Sequence, residues 1–246
     1  MERKKSAVVT GAASGIGRAT ALRLHRDGID VLAVDRDEAR LADEELSGLR
    51  TIAVDLSTSE GRDAVIAAEP TPDMLVNAAG LIRLKPILDF TIQDIRDIYA
   101  VNIEAVWDLC SRLGREMPSG SAIVNVSSVS AKSPVTPETA VYASSKAAVV
   151  SITKSFAYAF APRNVRVNAV LPGIMDTPMQ DTVLERLAEI RGITVESISN
   201  ARMATVPLGR GAHPDECAGL IAFLLSDEAG YMTGQAINQT GGMVMF

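Results

Sequence analysis

The sequence predicts an α/β fold in which residues 1–246 form one domain, a doubly wound parallel sheet with helices on both faces. Short runs rich in valine, isoleucine and alanine alternate with longer segments of helical periodicity, which is the pattern of strand–helix–strand units around a parallel sheet. No linker, repeat or low-complexity stretch interrupts the 246 residues. Apolar residues make up 47% of the chain, which is enough for the core of a single domain of this length.

Seven strands and seven helices are expected, and each is bounded by a change of periodicity. The expected strands are Ser6–Thr10, Asp30–Val34, Thr51–Val54, Met74–Asn77, Ala122–Ser127, Arg166–Val170 and Gln235–Asn238. The expected helices are Gly15–Asp27, Glu38–Ser47, Ser59–Ala68, Ile92–Arg115, Val141–Ala161, Met179–Ala201 and Pro214–Leu225. Pro134 and Pro137 interrupt the chain before the fifth of these helices, which predicts a loop at the carboxyl edge of the sheet, where open α/β sheets bind ligands.

Composition and charge exclude several classes of function. The net charge is -6, the isoelectric point is about 5.1 and the charges are spread along the chain, which argues against a nucleic-acid-binding surface. No apolar run reaches the roughly 18 residues of a membrane span. Residues 1–5 lead directly into a strand pattern rather than into the apolar region of a signal peptide. The two cysteines, Cys110 and Cys217, lie far apart and form no Cys-x-x-Cys motif, so we expect a cytoplasmic protein in a reducing compartment.

A glycine-rich turn follows the first strand and opens the first helix. It has the spacing G-x-x-x-G-x-G, in which Gly11, Gly15 and Gly17 allow a tight turn and a close approach of backbone N–H groups to a pyrophosphate. Ser14 and Ile16 complete the turn. The spacing is neither the G-x-G-x-x-G fingerprint nor a Walker loop, which would need Gly-Lys-Ser/Thr where the chain has Gly-Arg-Ala. Its position between the first strand and the first helix favours pyrophosphate binding over a purely structural turn.

An aspartate at the end of the second strand predicts which dinucleotide binds. Asp35 stands 18 residues after Gly17, where a carboxylate can accept hydrogen bonds from an adenosine ribose and would repel a 2′-phosphate. Position 14 is serine rather than a basic residue that could pair with that phosphate, which agrees with NAD. Arg36 could partly compensate the charge of Asp35. We therefore predict NAD (NADH) as the cofactor and NADP as the alternative.

Two further strand ends are expected to contact the same cofactor. Asp55 and Leu56 follow the third strand and would lie near the adenine. The segment after the fourth strand would let the backbone pass close beneath the cofactor, and it consists of Asn77, Ala78, Ala79 and Gly80.

Tyr142 and Lys146 are the candidate reactive pair. They lie four residues apart in one expected helix, so their side chains share a face. A phenol has an ordinary pKa of about 10, and a neighbouring positive charge favours the phenolate, which suits a general acid or base. Such pairs also occur on solvated helix faces, so the spacing alone does not decide between these interpretations.

Taken in order, these motifs resemble those of the short-chain dehydrogenase/reductase family, with a match from about Ser6 to Gly242. The resemblance rests on the glycine turn, Asp35, the segment 77–80, Ser127-Ser128 and Tyr142-x-x-x-Lys146. It implies a Rossmann-like fold and hydride transfer between a nicotinamide cofactor and a secondary alcohol or ketone. Tyr142 would exchange a proton with the substrate oxygen, and Lys146 would lower the pKa of that tyrosine and hold the nicotinamide ribose.

The same resemblance assigns further residues. Ser128 would hydrogen-bond the substrate oxygen, and Asn102 would hold a water that links Lys146 to solvent. The segment that would bind the nicotinamide carboxamide contains Pro172, Gly173, Ile174 and Thr177. Ser128 stands 14 residues before Tyr142, one more than the family pattern, which indicates an inserted loop residue. Ser127 is the alternative serine, although alternation along a strand turns it to the opposite face.

Substrate selection is expected to lie in a capping segment at about 178–210. Met179 and Gln180 begin this segment, and its apolar residues could cap the pocket or pack against the protein. Residues 77–83 and 176–180 look like the corresponding stretches in dihydroxy-dihydrobenzoate and sugar-acid dehydrogenases. On that basis Arg83 is the candidate partner of a substrate carboxylate; the alternative is a solvated or interface arginine.

Two long helices carry more apolar residues than one buried face needs. These residues include Trp107, Phe156, Tyr158 and Phe160. Because family members commonly pair these helices across a two-fold axis, a homotetramer is expected, with a dimer as the alternative. The apolar tail 243–246 would dock on a neighbouring subunit or remain free.

The expected function is therefore NAD-linked oxidation of a secondary alcohol or reduction of a ketone. The alternatives are an NADP-linked 3-oxoacyl thioester reductase and a non-catalytic protein that senses a dinucleotide. A hydrolase is not expected, since the chain has no G-x-S-x-G motif and neither His25 nor His213 has a partner in the pattern. The sequence has no His/Cys cluster, so no metal is expected.

Overall fold

A parallel sheet forms the centre of the protein, which a computed structural model describes over residues 4–133 and 136–246. In these residues the strand order is β3-β2-β1-β4-β5-β6-β7, and every neighbouring pair is parallel. The strands are β1 (Ser6–Thr10), β2 (Asp30–Asp35), β3 (Arg50–Ala53), β4 (Met74–Asn77), β5 (Ala122–Val126), β6 (Arg166–Pro172) and β7 (Ala236–Gln239). From β1 the sheet extends to one side through β2 and β3, and from β4 it extends to the other side through β5, β6 and β7. The carboxyl ends of β1 and β4 therefore open a crevice between them. The predicted fold class is confirmed.

Nine α-helices flank the sheet in the described residues. They are α1 (Gly15–Arg26), α2 (Glu38–Leu41), α3 (Ser59–Ala68), α4 (Ile92–Tyr99), α5 (Ala105–Glu116), α6 (Ala140–Phe160), α7 (Pro178–Arg191), α8 (Val195–Met203) and α9 (Pro214–Leu225). Pro137 begins a short 3-10 turn that leads into α6. Pro134, the other proline expected to break this segment, lies outside the described residues.

The helix predicted at Glu38–Ser47 was wrong in length. α2 ends at Leu41, and a separate 3-10 turn follows at Glu44–Leu46. Asp43 has an extended backbone between the two, and its side chain accepts a hydrogen bond from the Glu45 backbone N–H. An aspartate that bonds its own backbone in this way favours a turn over a continuing helix.

Likewise, the single helix predicted at Met179–Ala201 is two helices. α7 ends where Gly192 adopts a positive φ of 64°, a conformation that glycine reaches without steric cost. The Thr194 hydroxyl then accepts a hydrogen bond from the Ser197 backbone N–H and caps the start of α8. Both helices belong to the predicted capping segment.

The long helix predicted at Ile92–Arg115 is interrupted in its middle. Between α4 and α5, residues Ala100–Glu104 form a π-helical turn. Asn102 lies in this turn and is fully buried. Such turns insert one residue into a helix and occur often at functional sites.

Two apolar layers hold the helices against the sheet. One layer contains Leu24 of α1 and Ile221 of α9, and the other contains Leu109 of α5 and Val149 of α6. Each layer also buries one cysteine. Burial raises the pKa of the Cys110 and Cys217 thiols to about 12.

The aromatic residues of α5 and α6 divide between core and surface. Phe156 and Phe160 stack at 5.4 Å and are buried, which corrects the prediction that they belong to an exposed face. Trp107 packs on Phe156 at 5.1 Å but keeps 52% of its surface exposed, and Tyr158 is 88% exposed. No helix in the described part of the chain is long and apolar enough to cross a membrane.

Candidate active site

A cavity of about 570 Å³ opens at the carboxyl edge of the sheet. Its volume lies within the range of pockets that bind small molecules and cofactors. Most of the predicted site residues line it, namely Gly11, Ser14, Gly15, Ile16, Gly17, Asp35, Arg36, Asp55, Leu56, Ala78, Ala79, Gly80, Ser128, Tyr142, Lys146, Pro172, Gly173, Ile174, Thr177, Met179 and Gln180. Three predicted residues do not line it, namely Asn77, Arg83 and Asn102.

The glycine turn between β1 and α1 admits no side chain at two positions. A Cβ on Gly17 would lie 2.1 Å from the Gly11 carbonyl oxygen, and a Cβ on Gly11 would lie 2.8 Å from the Ala79 nitrogen. The Thr10 hydroxyl accepts hydrogen bonds from the backbone N–H groups of Ala78 and Ala79, both at 3.1 Å, and so joins this turn to the loop after β4. The result is a backbone cradle at the amino end of α1.

The cradle fits a pyrophosphate. α1 has no acidic residue in its first turn, and no side chain caps its first N–H groups. Free N–H groups and the positive end of the helix dipole favour an anion at this place. A dinucleotide therefore matches the donors that the turn presents.

Asp35 has a fixed carboxylate at the end of β2. One oxygen accepts a hydrogen bond from the Ala13 backbone N–H at 3.0 Å, and the other accepts from the backbone N–H groups of Arg36 and Asp37 at 2.7 and 3.1 Å. Arg36 and Arg40 are exposed and line the same part of the cavity. Asp37 and Asp55 line the cavity as well, so its lining contains three carboxylates, of which backbone N–H groups fix Asp35, and two exposed arginines.

The side chain of Asn77 lies in the core and does not line the cavity, so only its backbone remains a candidate for the predicted cofactor contact. Asn77 is opposite Asn125 in the β4–β5 pairing and donates to the Asn125 side-chain oxygen at 2.8 Å. Asn125 in turn donates to the Thr153 hydroxyl on α6. Because a buried amide needs such partners, Asn77 ties the sheet to α6 and leaves the cavity wall to residues 78–80.

Asn102 does not line the cavity, but its side chain supports the same wall. Its side chain accepts from the Leu81 backbone N–H at 2.8 Å and donates to the Leu81 carbonyl and the Ser145 hydroxyl. These bonds occupy the amide, so the side chain joins the loop after β4 to the Tyr142 helix. Its role beside a water stays a prediction.

Tyr142, Ser128 and Lys146 meet on one wall of the cavity. Ser128 and Tyr142 both line this wall, and Lys146 Nζ lies 5.7 Å from the centre of the phenol ring. Lys146 donates to the Val126 carbonyl at 2.9 Å. The Ser127 hydroxyl donates to the Lys146 backbone carbonyl at 2.8 Å, so this alternative serine is already engaged.

Burial sets the acidity of this group. It raises the pKa of Tyr142, and the nearby Ser128 hydroxyl offsets only part of that rise. Loss of hydration is the largest cause of this rise, and the expectation that Lys146 lowers the pKa of Tyr142 stays a prediction. Burial also lowers the pKa of Lys146 to about 8.

The depressed pKa of Lys146 predicts a pH-dependent cost of folding. Below pH 8 the lysine is protonated in both states and the burial penalty is complete; between pH 8 and 10.5 the folded protein releases the proton first, so stability rises with pH. From pH 7 to 9.5, the free energy of unfolding of the wild type should rise relative to Lys146→Met by about 2 kcal/mol. Urea denaturation at both pH values measures this. An equal difference at the two pH values would show that the pKa is ordinary.

The capping segment forms the far wall of the cavity. Met179 and Gln180 line it as predicted positions, and Val183, Arg202 and Thr205 join them. Leu187 is buried in a separate cluster in which Leu184 and Ile190 also pack, so for these three residues the packing interpretation applies.

Arg83 points away from the substrate space. Its guanidinium forms ion pairs with Asp94 at 2.9 Å and with Asp97 at 2.7 Å. Two carboxylates satisfy a guanidinium, so this geometry gives no support to its assignment as a substrate carboxylate partner.

Sequence reasoning missed several residues of the site. Arg202 could have been noticed in the sequence, because no acidic residue stands three or four positions from it. An arginine in a helix without such a neighbour has no local ion-pair partner. Met243 and Val244 also line the cavity. This tail folds back on its own chain, where the Val244 carbonyl accepts a hydrogen bond from the Thr240 hydroxyl. The local sequence pattern does not predict this fold-back.

A long-range ion pair closes the cap over the site. Arg191, at the end of α7, donates from Nε and Nη2 to both carboxylate oxygens of Glu138 at 2.8 and 2.9 Å. Glu138 lies in the turn that leads to Tyr142. The pair therefore joins the far wall of the cavity to the reactive wall.

Comparison with known proteins adds a family to this geometry. A family model described as "Enoyl-(Acyl carrier protein) reductase" matches residues 11–244. L-2,3-butanediol dehydrogenase of Corynebacterium glutamicum is 33% identical over 255 residues, covering 98% of each chain. A 3-oxoacyl-(acyl carrier protein) reductase of Thermotoga maritima is 34% identical over 253 residues, again covering 98% of each.

Solved structures agree with these relatives. The crystal structure of L-sorbose reductase from Gluconobacter frateurii, complexed with NADPH and L-sorbose, matches with a TM-score of 0.88 and 30% identity. The match covers 99% of this chain and 97% of that one. The cradle, the reactive wall and the sheet order therefore belong to a known architecture.

Proposed function

The chain belongs to the short-chain dehydrogenase/reductase family of oxidoreductases, and from this we propose that it interconverts a secondary alcohol and a ketone with NAD(H). The observation that carries the proposal is the meeting of Tyr142, Ser128 and Lys146 on one wall of a cavity that also contains the glycine cradle. A proton donor and a hydrogen-bond donor beside a dinucleotide site are the protein groups that this reaction needs.

The cofactor would lie along the cavity. The cradle would hold its pyrophosphate, Asp35 its adenosine ribose and Lys146 its nicotinamide ribose. When bound, the nicotinamide supplies the acceptor or donor of the hydride. Residues 172–177 would frame this reacting end.

Tyr142 would move the proton. In oxidation the substrate hydroxyl would give its proton to the phenolate while the carbon that bears this hydroxyl gives up the hydride. In reduction the proton and the hydride would move in the opposite direction. Ser128 would donate a hydrogen bond to the same oxygen and hold it against Tyr142. Burial favours the neutral phenol of Tyr142, which is the form that gives its proton to the substrate oxygen in reduction.

NAD is proposed over NADP because of Asp35. A 2′-phosphate would meet a carboxylate whose position three backbone N–H groups hold. Arg36 and Arg40 could attract that phosphate from solvent, and L-sorbose reductase binds NADPH. Asp35 is partly buried and held in place, whereas Arg36 and Arg40 are exposed. We expect its repulsion of a 2′-phosphate to exceed their attraction, because water screens exposed charges.

A second candidate is reduction of 3-oxoacyl thioesters with NADP. The similarity to the Thermotoga maritima reductase supports it. Asp35 opposes it through the cofactor. A non-catalytic dinucleotide sensor is less favoured, because a sensor needs the cradle and Asp35 but not Ser128, Tyr142 and Lys146 together.

Titration with NADH and NADPH, followed by a spectrophotometric screen with the preferred cofactor, tests the proposal. The panel contains cyclic diols, hydroxy acids, sugar acids, simple secondary alcohols and a 3-oxoacyl thioester. NADH-linked turnover is the expected result. Preference for NADPH with thioester turnover would favour the second candidate, and binding without turnover on any compound would favour the sensor.

Replacing Asp35 with alanine should change the cofactor preference. Loss of the carboxylate removes charge-assisted hydrogen bonds to the ribose and the repulsion of a 2′-phosphate, so the ratio of the Kd values for NADPH and NADH should fall roughly 10- to 100-fold. Fluorescence titration measures both values. Glu38→Ala is the matched control, because Glu38 is an exposed carboxylate nearby that does not line the cavity. A ratio that stays constant in Asp35→Ala would refute the assignment.

We also propose that the protein forms a homotetramer. The exposed aromatic rings of Trp107 on α5 and Tyr158 on α6 give these helices an apolar outer surface. Such a surface is more stable when a second copy covers it. Light scattering of the purified protein would distinguish a tetramer from a dimer or a monomer.

A further inference from the structure

Arg202 is a cation without a counter-ion in the wall of the active-site cavity. It projects from α8, and Gln180 and Val183 of α7 line the same wall. In the described part of the chain it forms no ion pair. Its one hydrogen bond runs from Nη2 to the Gln180 side-chain oxygen and is long, at 3.3 Å.

The Nε group of Arg202 is both buried and unsatisfied. It has no hydrogen-bond partner among the described residues. Burial lowers the pKa of the guanidinium, and repulsion from Arg191 lowers it further. A buried donor without an acceptor, on a charged group, is costly unless a partner arrives during function.

Other arginines of this chain show what Arg202 lacks. Arg191, in the same cap, uses its Nε and Nη2 to hold both oxygens of Glu138. Arg166 is also buried, but its guanidinium donates to the carbonyl oxygens of Leu224 and Ser226. Arg191 and Arg166 thus each hold two oxygens within 2.9 Å, whereas the guanidinium of Arg202 holds a single one at 3.3 Å.

We propose that Arg202 is a specificity-determining residue that binds a carboxylate of the substrate, so that the enzyme acts on hydroxy acids and oxo acids. This inference rests on the proposed function and names the substrate class of the same cavity. A carboxylate presents two oxygens in the geometry of the Nε and Nη2 edge. It would displace the Gln180 oxygen from Nη2, and the amide N–H of the turned Gln180 would donate to the same carboxylate.

The cofactor phosphates are the other anion that could reach the cavity. The cradle at the amino end of α1 already provides donors for them, whereas Arg202 comes from the cap. Gln180, the hydrogen-bond partner of Arg202, belongs to the predicted substrate positions and not to the cradle. The substrate end is therefore the better match for Arg202.

The test compares hydroxy acids with their own methyl esters in the wild type, Arg202→Met and Arg202→Lys. The wild type should prefer the acid over the ester at least tenfold in kcat/KM. Arg202→Met should lower kcat/KM for the acid about 100-fold, chiefly through KM, and leave the ester within threefold. Arg202→Lys should recover part of the loss. Arg186→Met, an exposed arginine on the same cap, is the control and should change neither substrate.

Two further measurements separate the possible outcomes. NADH titration of Arg202→Met should give a Kd within twofold of the wild type; a large increase would assign Arg202 to the cofactor phosphates and overturn the proposal. Calorimetry of the NADH-saturated wild type with the same acids detects binding without turnover. If the wild type prefers the esters, or neither binds nor turns over any acid, the proposal is wrong. Neutral alcohols that react in a Tyr142-dependent way would still uphold the proposed function, whereas absent NADH binding would remove it.

Discussion

Replacing Tyr142 with phenylalanine should lower kcat by roughly 10²- to 10⁴-fold, because the phenol is the proposed group that exchanges a proton with the substrate oxygen. The ring fills the same buried space, so the fold and the cavity should persist. The Kd for NADH should stay within about threefold, since Tyr142 contributes little to the cradle that holds the cofactor. Steady-state kinetics and fluorescence titration on the same preparation measure both quantities.

The control for this substitution is Tyr158→Phe. Tyr158 lies on the same helix, but its side chain is exposed and does not line the cavity. It should keep the wild-type kcat. If Tyr142→Phe kept more than a tenth of the activity, another residue or a water would have to supply the proton, and the mechanism proposed above would fail.

Replacing Gly17 with alanine should weaken NADH binding by at least about 100-fold. A Cβ at this position would lie 2.1 Å from the Gly11 carbonyl oxygen, so the turn between β1 and α1 must open. An opened turn moves the N–H groups that face the pyrophosphate, and overpacking of this kind also costs about 1–3 kcal/mol of stability. Thermal denaturation should accompany the titration, so that loss of binding is measured on folded protein.

Gly219→Ala provides the matched control for the glycine turn. Gly219 lies inside α9, and a Cβ there would meet no heavy atom within 4 Å. Alanine is the better helix former, so this variant should bind NADH normally and be slightly more stable. Wild-type affinity in folded Gly17→Ala would show that the turn does not hold the cofactor.

The sequence was sufficient for the features that local chemistry dictates. Strand periodicity identified the strands, and the G-x-x-x-G-x-G spacing identified the cradle, because both patterns involve residues that are close along the chain. Tyr142 and Lys146 were visible for the same reason, since helical spacing alone places them together. These predictions needed no knowledge of tertiary contacts.

The sequence does not reveal side-chain partners that are distant along the chain. The structure places Asp94 and Asp97 beside Arg83 and pairs the Asn77 side chain with Asn125 across the sheet. The pKa of Tyr142 depends on how much water folding removes, which no spacing reveals. The sequence alone could have predicted the helix breaks at Asp43 and Gly192, because aspartate and glycine favour turns.

The two buried thiols have a practical consequence for following the cap in solution. Cys110 and Cys217 are enclosed in the two apolar layers, and a thiol whose pKa is about 12 yields almost no thiolate at neutral pH. Since the thiolate is the form that maleimides and iodoacetamides attack, the folded protein should resist alkylation. A single cysteine introduced on the outer side of α7 would then be the site that accepts a fluorophore. The protein is in this sense ready for single-site labelling, with no need to remove its own cysteines first.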